Sequence, residues 1–132
     1  MFTDHIFLCL WYLTLPIPRR LRVDLARYRT TSHSLEIEIG RHYNTAPEDG
    51  LCKLCGRSNV VAVEDEFHVM FQCEAYNDIR KLYIDTDKLD SATEYHFINL
   101  MNTDNRDTII KLANFVSCMF KIRQQLYESC QP

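Results

Sequence analysis

Residues Cys52–Cys73 run CKLCGRSNVVAVEDEFHVMFQC. Cys52 and Cys55 form a Cys-x-x-Cys pair, His68 follows after twelve residues, and Cys73 after four more. Three soft thiolates and one imidazole suit tetrahedral zinc, and the tight Cys-x-x-Cys turn brings two sulfurs to one metal without strain. Gly56, next in the chain, is expected to supply the backbone twist of such a knuckle. His68 falls inside a predicted helix over Glu64–Phe71 and Cys73 just past its end, so one rigid element presents both remaining ligands.

Other readings of these residues are weaker. A Cys52–Cys55 disulfide is a redox motif that expects a thioredoxin-like βαβ context, which does not occur in this sequence. Secreted disulfide scaffolds are denser in cysteine than six in 132 residues. If His68 and Cys73 were core residues only, two separate coincidences of spacing would be needed. Cys9, Cys118 and Cys130 fall outside the pattern. Four protein ligands leave no position for water or substrate, so the metal reads as structural. Its binding free energy, on the order of 10 kcal/mol, exceeds what a small core supplies, and residues 50–80 are expected to fold with it. The run Glu64-Asp65-Glu66 reads as a set of dipole-complementing caps at the start of the helix, not as a second metal or acid/base group.

Outward from this centre, the 132 residues are 46% apolar and 25% charged, which describes one folded domain. A Rossmann dehydrogenase or a polymerase needs a far longer chain, and a Cys52 nucleophile paired with His68 would need both to be free of metal; no enzyme is expected. The net charge of −3 hides a polarity. Residues 19–43 carry six arginines (Arg19, Arg20, Arg22, Arg27, Arg29 and Arg41) against three acids, while residues 44–132 hold nine basic and fourteen acidic side chains. A basic stretch on an acidic body is the footprint of a local phosphate-binding face.

The remaining map is mostly helical. Residues Ile6–Leu15 are the most apolar run but too short to span a bilayer, and they lack the basic flank and cleavage site of a signal peptide. Residues 1–18 are read as an apolar leader or a remnant of upstream sequence. Leu21, Leu25 and Tyr28 recur at helical spacing, with Arg22 and Arg29 turned outward. Ser32 is a cap candidate for a short helix over Leu35, Ile37 and Ile39, ended by Gly40, although the alternation equally suits a strand. Residues 44–50 have loop composition, Asn59–Val63 a short β piece, Ala75–Ile84 a helix, and Asp85–Asp90 a polar connector. A helix over Thr93–Met101 precedes a longer one, with Asp104 as N-cap, Asp107 in its first turn, and Ile109, Leu112, Val116 and Met119 on one face. The fold class is therefore mainly α: a small zinc-stabilised helical domain over residues 19–128, with its zinc core at 50–80, a long C-terminal helix and a tail at 129–132.

The string Arg27-Tyr-Arg-Thr-Thr-Ser-His33, Gly40-Arg41, Pro47, Cys52-x-x-Cys55, Val63-Glu-Asp-Glu66-x-His68, Cys73, Tyr76 and Arg80 resembles the zinc-binding segment that follows the polymerase in non-long-terminal-repeat retrotransposon proteins. The similarity runs from about Arg19 to Arg123. It implies an accessory nucleic-acid-binding element of a reverse transcriptase, with Cys52, Cys55, His68 and Cys73 as metal ligands. No Tyr-x-Asp-Asp polymerase signature occurs here, so the chain reads as a truncated or domesticated module.

The functional expectation is a structural-zinc module that binds RNA or DNA. Arg19, Arg20, Arg22, Arg27, Arg29 and Arg41, with Lys53 and Arg57 on the knuckle, would contact phosphates, and Tyr28, His33 and Tyr43 would stack on unpaired bases. The alternative is a zinc-stabilised protein–protein interaction domain, with a reverse transcriptase or other protein as partner. Neither membrane nor small-molecule substrate is expected, and the location expected is intracellular, nuclear or cytoplasmic.

Overall fold

The computed structural model describes residues 16–84 and 94–129. The apolar run Ile6–Leu15, the connector Asp85–Asp90, Cys9 and Cys130 lie outside the described residues. The elements are α1 (Arg19–Arg29), α2 (Glu36–His42), α3 (Lys53–Gly56), α4 (Asn77–Tyr83), α5 (Glu94–Met101) and α6 (Arg106–Glu128). Short 3-10 turns occupy Pro47–Asp49 and Glu74–Tyr76, and His68–Gln72 forms a π turn. The architecture is mainly α.

The long helix α6 is the platform. Ile109, Leu112, Ala113, Val116 and Met119 recur at three- and four-residue steps and are all fully buried, as a core-facing helical stripe requires. Onto this stripe α1 lays Leu21, Leu25 and Tyr28, and α4 packs beside it. Asn105, not Asp104, caps α6: its Oδ1 accepts from the Thr108 N–H at 3.0 Å, and Asp104 stands one residue too early for that bond. Asp107 lies in the first turn as expected.

Four local expectations are corrected. Arg29 is buried, not turned outward. Residues 36–42 are a helix rather than a strand, but the helix runs through Gly40 to His42. Its end is a Schellman motif in which the Thr45 N–H reaches the Gly40 carbonyl at 2.8 Å and Asn44 takes the left-handed conformation, φ 55°. Gly40 matters instead for a close approach, because a Cβ there would meet Thr45 Cβ at 3.3 Å. Ser32 does not cap this helix: Leu35 occupies the N-cap without a side-chain bond, and the Glu64 carboxylate accepts from the Glu36 N–H at 2.7 Å. The β piece at Asn59–Val63 shrinks to one antiparallel bridge between Leu51 and Val63. It is clipped on either side by Cys52 N–H to Ala62 O at 2.7 Å and Glu64 N–H to Gly50 O at 2.8 Å.

Among the described residues, no helix is long and apolar enough to cross a membrane.

Candidate metal centre and basic face

The bridge at Leu51 and Val63 fixes the knuckle. Cys52 stands just before the single turn of α3 and Cys55 inside it, and the chain then reverses so that the Val60 N–H returns to the Cys55 carbonyl at 3.1 Å. The left-handed residue that permits this reversal is Asn59, φ 60°, and not Gly56, whose φ is not positive and around which a Cβ would meet nothing within 4 Å. Asparagine tolerates this conformation better than other residues carrying a Cβ.

The second half of the site comes from residues 66–72. Asp65 Oδ1 accepts from the His68 N–H at 2.8 Å, starting the helical segment one position inside the acidic run. The segment then widens, and the Cys73 N–H bonds the His68 carbonyl, five residues back, at 2.8 Å. In an α-helix residue i+5 lies about 140° around the axis from residue i, whereas the wider π turn brings it to roughly 50°. The widening therefore puts His68 and Cys73 on one side. Buried Arg80 satisfies the carbonyls this turn leaves behind, donating to Met70 O at 2.7 Å, Val69 O at 3.1 Å and Cys73 O at 2.8 Å. On the far side, Phe67 and Phe71 pack against Phe97 of α5 with ring centroids 5.9 and 6.3 Å apart.

The four expected ligands converge, with their donor atoms within 4.8 Å of one another. Cys52 Sγ and Cys73 Sγ are 3.9 Å apart, Cys55 Sγ and Cys73 Sγ 3.7 Å, and Cys55 Sγ and His68 Nε2 3.3 Å. Tetrahedral bonds of the usual zinc lengths place sulfurs about 3.8 Å apart and sulfur and nitrogen about 3.6 Å apart. A disulfide holds its sulfurs at about 2.05 Å, so Cys52, Cys55 and Cys73 are free thiols in this arrangement. The imidazole is also set correctly: Nδ1 faces the Gln72 amide oxygen at 3.2 Å, so it carries the proton and Nε2 keeps its lone pair for a cation. The site can hold a metal ion, and every donor in it comes from protein.

Without a cation these groups conflict. A hydrogen bond from the Cys73 thiol draws Cys52 down to about 3, so Cys52 takes the charge. That same bond, with burial, pushes Cys73 up, while burial and the nearby Cys52 charge push Cys55 up. Burial works against charge on His68, yet hydrogen bonds to Cys52 and Gln72 raise it. A divalent cation resolves the conflict by stabilising all three thiolates together. Cys118, on α6, is a free thiol outside the centre.

A second group, His33, Glu38 and Glu66, also has donor atoms within 4.8 Å of one another. Its chemistry differs. The Leu35 N–H donates to His33 Nδ1 at 3.3 Å, which puts the ring proton on Nε2, and Nε2 then bonds Glu66 Oε1 at 2.8 Å. An imidazole with both nitrogens so engaged has no lone pair left for a metal.

The acidic run does three separate jobs. Asp65 caps the His68 segment, Glu66 orients His33, and buried Glu64, which stands before the helical segment instead of opening it, caps α2 and grips Arg123 through bonds of 3.0 and 2.7 Å. Burial pushes the Glu64 carboxyl up and Arg123 pulls it back, while Glu64 in turn holds the Arg123 guanidinium above its usual value. Sequence reasoning missed Arg123 as a structural residue. The available signal was a charged residue four positions beyond Met119 on the apolar stripe of α6.

The candidate phosphate contacts divide. Arg19, Arg20 and Arg27 are exposed, Arg22 is half-buried and Arg29 buried. Arg41 pairs with Glu38 at 3.1 Å, Lys53 with Glu36 at 3.3 Å, and Arg57 donates to the Leu126 carbonyl at 3.0 Å, so the two knuckle residues tie α3 to its surroundings. Of the expected stacking residues, Tyr28 and the His33 side chain are buried and unable to stack; Tyr43 is exposed. Compared with known proteins, the chain matches no family model, no curated sequence and no solved structure.

Proposed function

We propose that this chain is a zinc-stapled helical module that binds nucleic acid through the outward face of α1, of the kind that accompanies retrotransposon reverse transcriptases. The metal is zinc, since three thiolates and an imidazole at tetrahedral spacing select a soft, four-coordinate ion. With no open coordination position, its role is to hold the fold.

One observation carries the binding reading. Arg19, Arg20 and Arg27 are exposed and fall within an arc of about 100° on α1, opposite the face that Leu21, Leu25 and Tyr28 bury on α6. Three guanidiniums held on one helix side by a rigid platform suit the regular negative charge of a phosphate backbone. The resemblance, which runs from about Arg19 to Arg123, supports the same reading.

The test measures affinity of the zinc-loaded chain for labelled RNA and DNA against salt. Affinity is expected to fall as salt rises, and each of R19A, R20A and R27A to reduce the slope of log affinity on log salt by about one. Binding that ignores salt, or survives the triple substitution, overturns the reading. A protein-docking domain is favoured instead by exposed Leu82 and Tyr95, of which Leu82 borders a pocket of about 540 Å³. Loss of self-association or partner capture in L82S/Y95S, with no nucleic-acid binding, would select it.

A further inference from the structure

Beside the arginine face, between α1, the Ser32–Ser34 turn and the last turns of α6, lies a pocket of about 440 Å³. Arg27 belongs to both the face and the pocket wall. The size is that of a small-molecule site. We propose that this pocket seats one unpaired nucleobase of a bound single strand, guanine by preference. The proposal rests on the nucleic-acid reading above and names the ligand class of the same face.

The pocket's charges argue against a phosphate inside it. Arg123 and His33 reach the wall, but Arg123 is committed to Glu64 at 2.7 Å and His33 to Glu66 at 2.8 Å. The remaining charged wall groups are Asp24 and Glu128 against Arg27 alone. Such a lining favours a neutral ligand with N–H donors, while Arg27, exposed and shared with the arginine face, suits the phosphate attached to it. Half-buried Phe120 gives the planar ring an apolar wall.

The polar groups then choose among bases. Gln124 Nε2 donates to Glu128 Oε1 at 3.1 Å, an exposed pair one turn apart that biases this carboxylate to lie along α6. Guanine offers adjacent N1–H and N2–H₂ donors, which a carboxylate accepts as a pair. Uracil presents its single N3–H between two carbonyls that a carboxylate repels, and adenine has no ring N–H on that edge.

The experiment is fluorescence anisotropy of the full zinc-loaded chain with an all-uridine octanucleotide and with the same octanucleotide carrying one central guanine, inosine or adenine. Guanine is expected to tighten binding about tenfold and inosine, lacking the N2 amine, by less. D24N/E128Q should erase the guanine advantage while keeping the all-uridine affinity. S34W should erase it by filling the pocket, with zinc content and circular dichroism confirming the fold. Equal affinity for all four strands, or an advantage indifferent to both variants, overturns the pocket while leaving the arginine face standing. Free guanosine monophosphate competing as well as the strand overturns the strand as occupant. Absence of binding to any strand at low salt, or binding unmoved by R19A/R20A/R27A, overturns both.

Discussion

Glu64 and Arg123, 59 positions apart in the chain, are joined by two parallel hydrogen bonds of 3.0 and 2.7 Å in a buried site. Glu64 follows the bridge that closes the knuckle, and Arg123 stands on α6 where its guanidinium also covers the Tyr127 ring, 4.2 Å from the centroid. The pair therefore couples the metal-binding segment to the helical platform. Truncating one partner strands the other as a buried charge with its solvation lost. E64A or R123A should each cost about 3 kcal/mol or more of stability, and E64A/R123A should cost clearly less than the two added together. Chemical denaturation of the zinc-loaded variants measures this, and additive losses would deny the coupling.

Arg80 has a different environment, three backbone carbonyls and the Asn77 side-chain oxygen with no carboxylate. Burial lowers its pKa. A zinc ion with three thiolates carries net negative charge, so a guanidinium bonded to the Cys73 carbonyl complements the filled site. R80M leaves three carbonyls of the π turn unsatisfied and should destabilise the protein by about 3 kcal/mol while loosening zinc. R80K restores charge but not the fork and should recover only part of the loss. Melting temperature and chelator-induced zinc release follow both effects.

The Cys52, Cys55, His68 and Cys73 cluster that could hold a metal ion and the helix faces were legible in the sequence because both are local. Cys-x-x-Cys and His-x-x-x-x-Cys each close within one turn, and Leu112, Val116 and Met119 betray α6 by their period alone. What escaped depends on distant partners. Arg29 reads as turned outward and Arg123 draws no reading of its own, yet both are buried, and Arg123 is neutralised from Glu64, which local sequence cannot place. The glycines misled for another reason. Asn44, Asn59 and Thr31 take the left-handed positions, so Gly40 and Gly56 do not mark the turns that their residue type suggests.

Zinc binding should release fewer protons than four separate ligands would. In the metal-free fold Cys52 is already ionised, held down to about 3 by its bond from Cys73, whereas Cys55 and Cys73 are raised and protonated at neutral pH. Zinc must expel those two thiol protons and whatever fraction His68 retains, so apparent affinity falls as pH falls. Calorimetry at pH 7 in buffers of different ionisation heat should give about two thiol protons per zinc. A total above three, more than Cys55, Cys73 and His68 together supply, would mean that Cys52 is protonated as well and that the ligands assemble only when the metal arrives.

The knuckle's turn gives a pair of substitutions with opposite signs. Gly56 closes the short helix α3 with open space around it and no left-handed φ, so G56A meets nothing and reduces the freedom of the unfolded chain. It should leave zinc affinity unchanged and stabilise the protein by about 0.5 kcal/mol. Asn59, at φ 60°, tolerates a side chain only because asparagine bears the left-handed conformation well. N59A should cost about 1 kcal/mol and N59G should be neutral or better. If Gly56 were the twisting residue instead, the order would invert, with G56A weakening zinc binding and N59A harmless. Thermal melts with a zinc titration on the same samples distinguish these two orders directly.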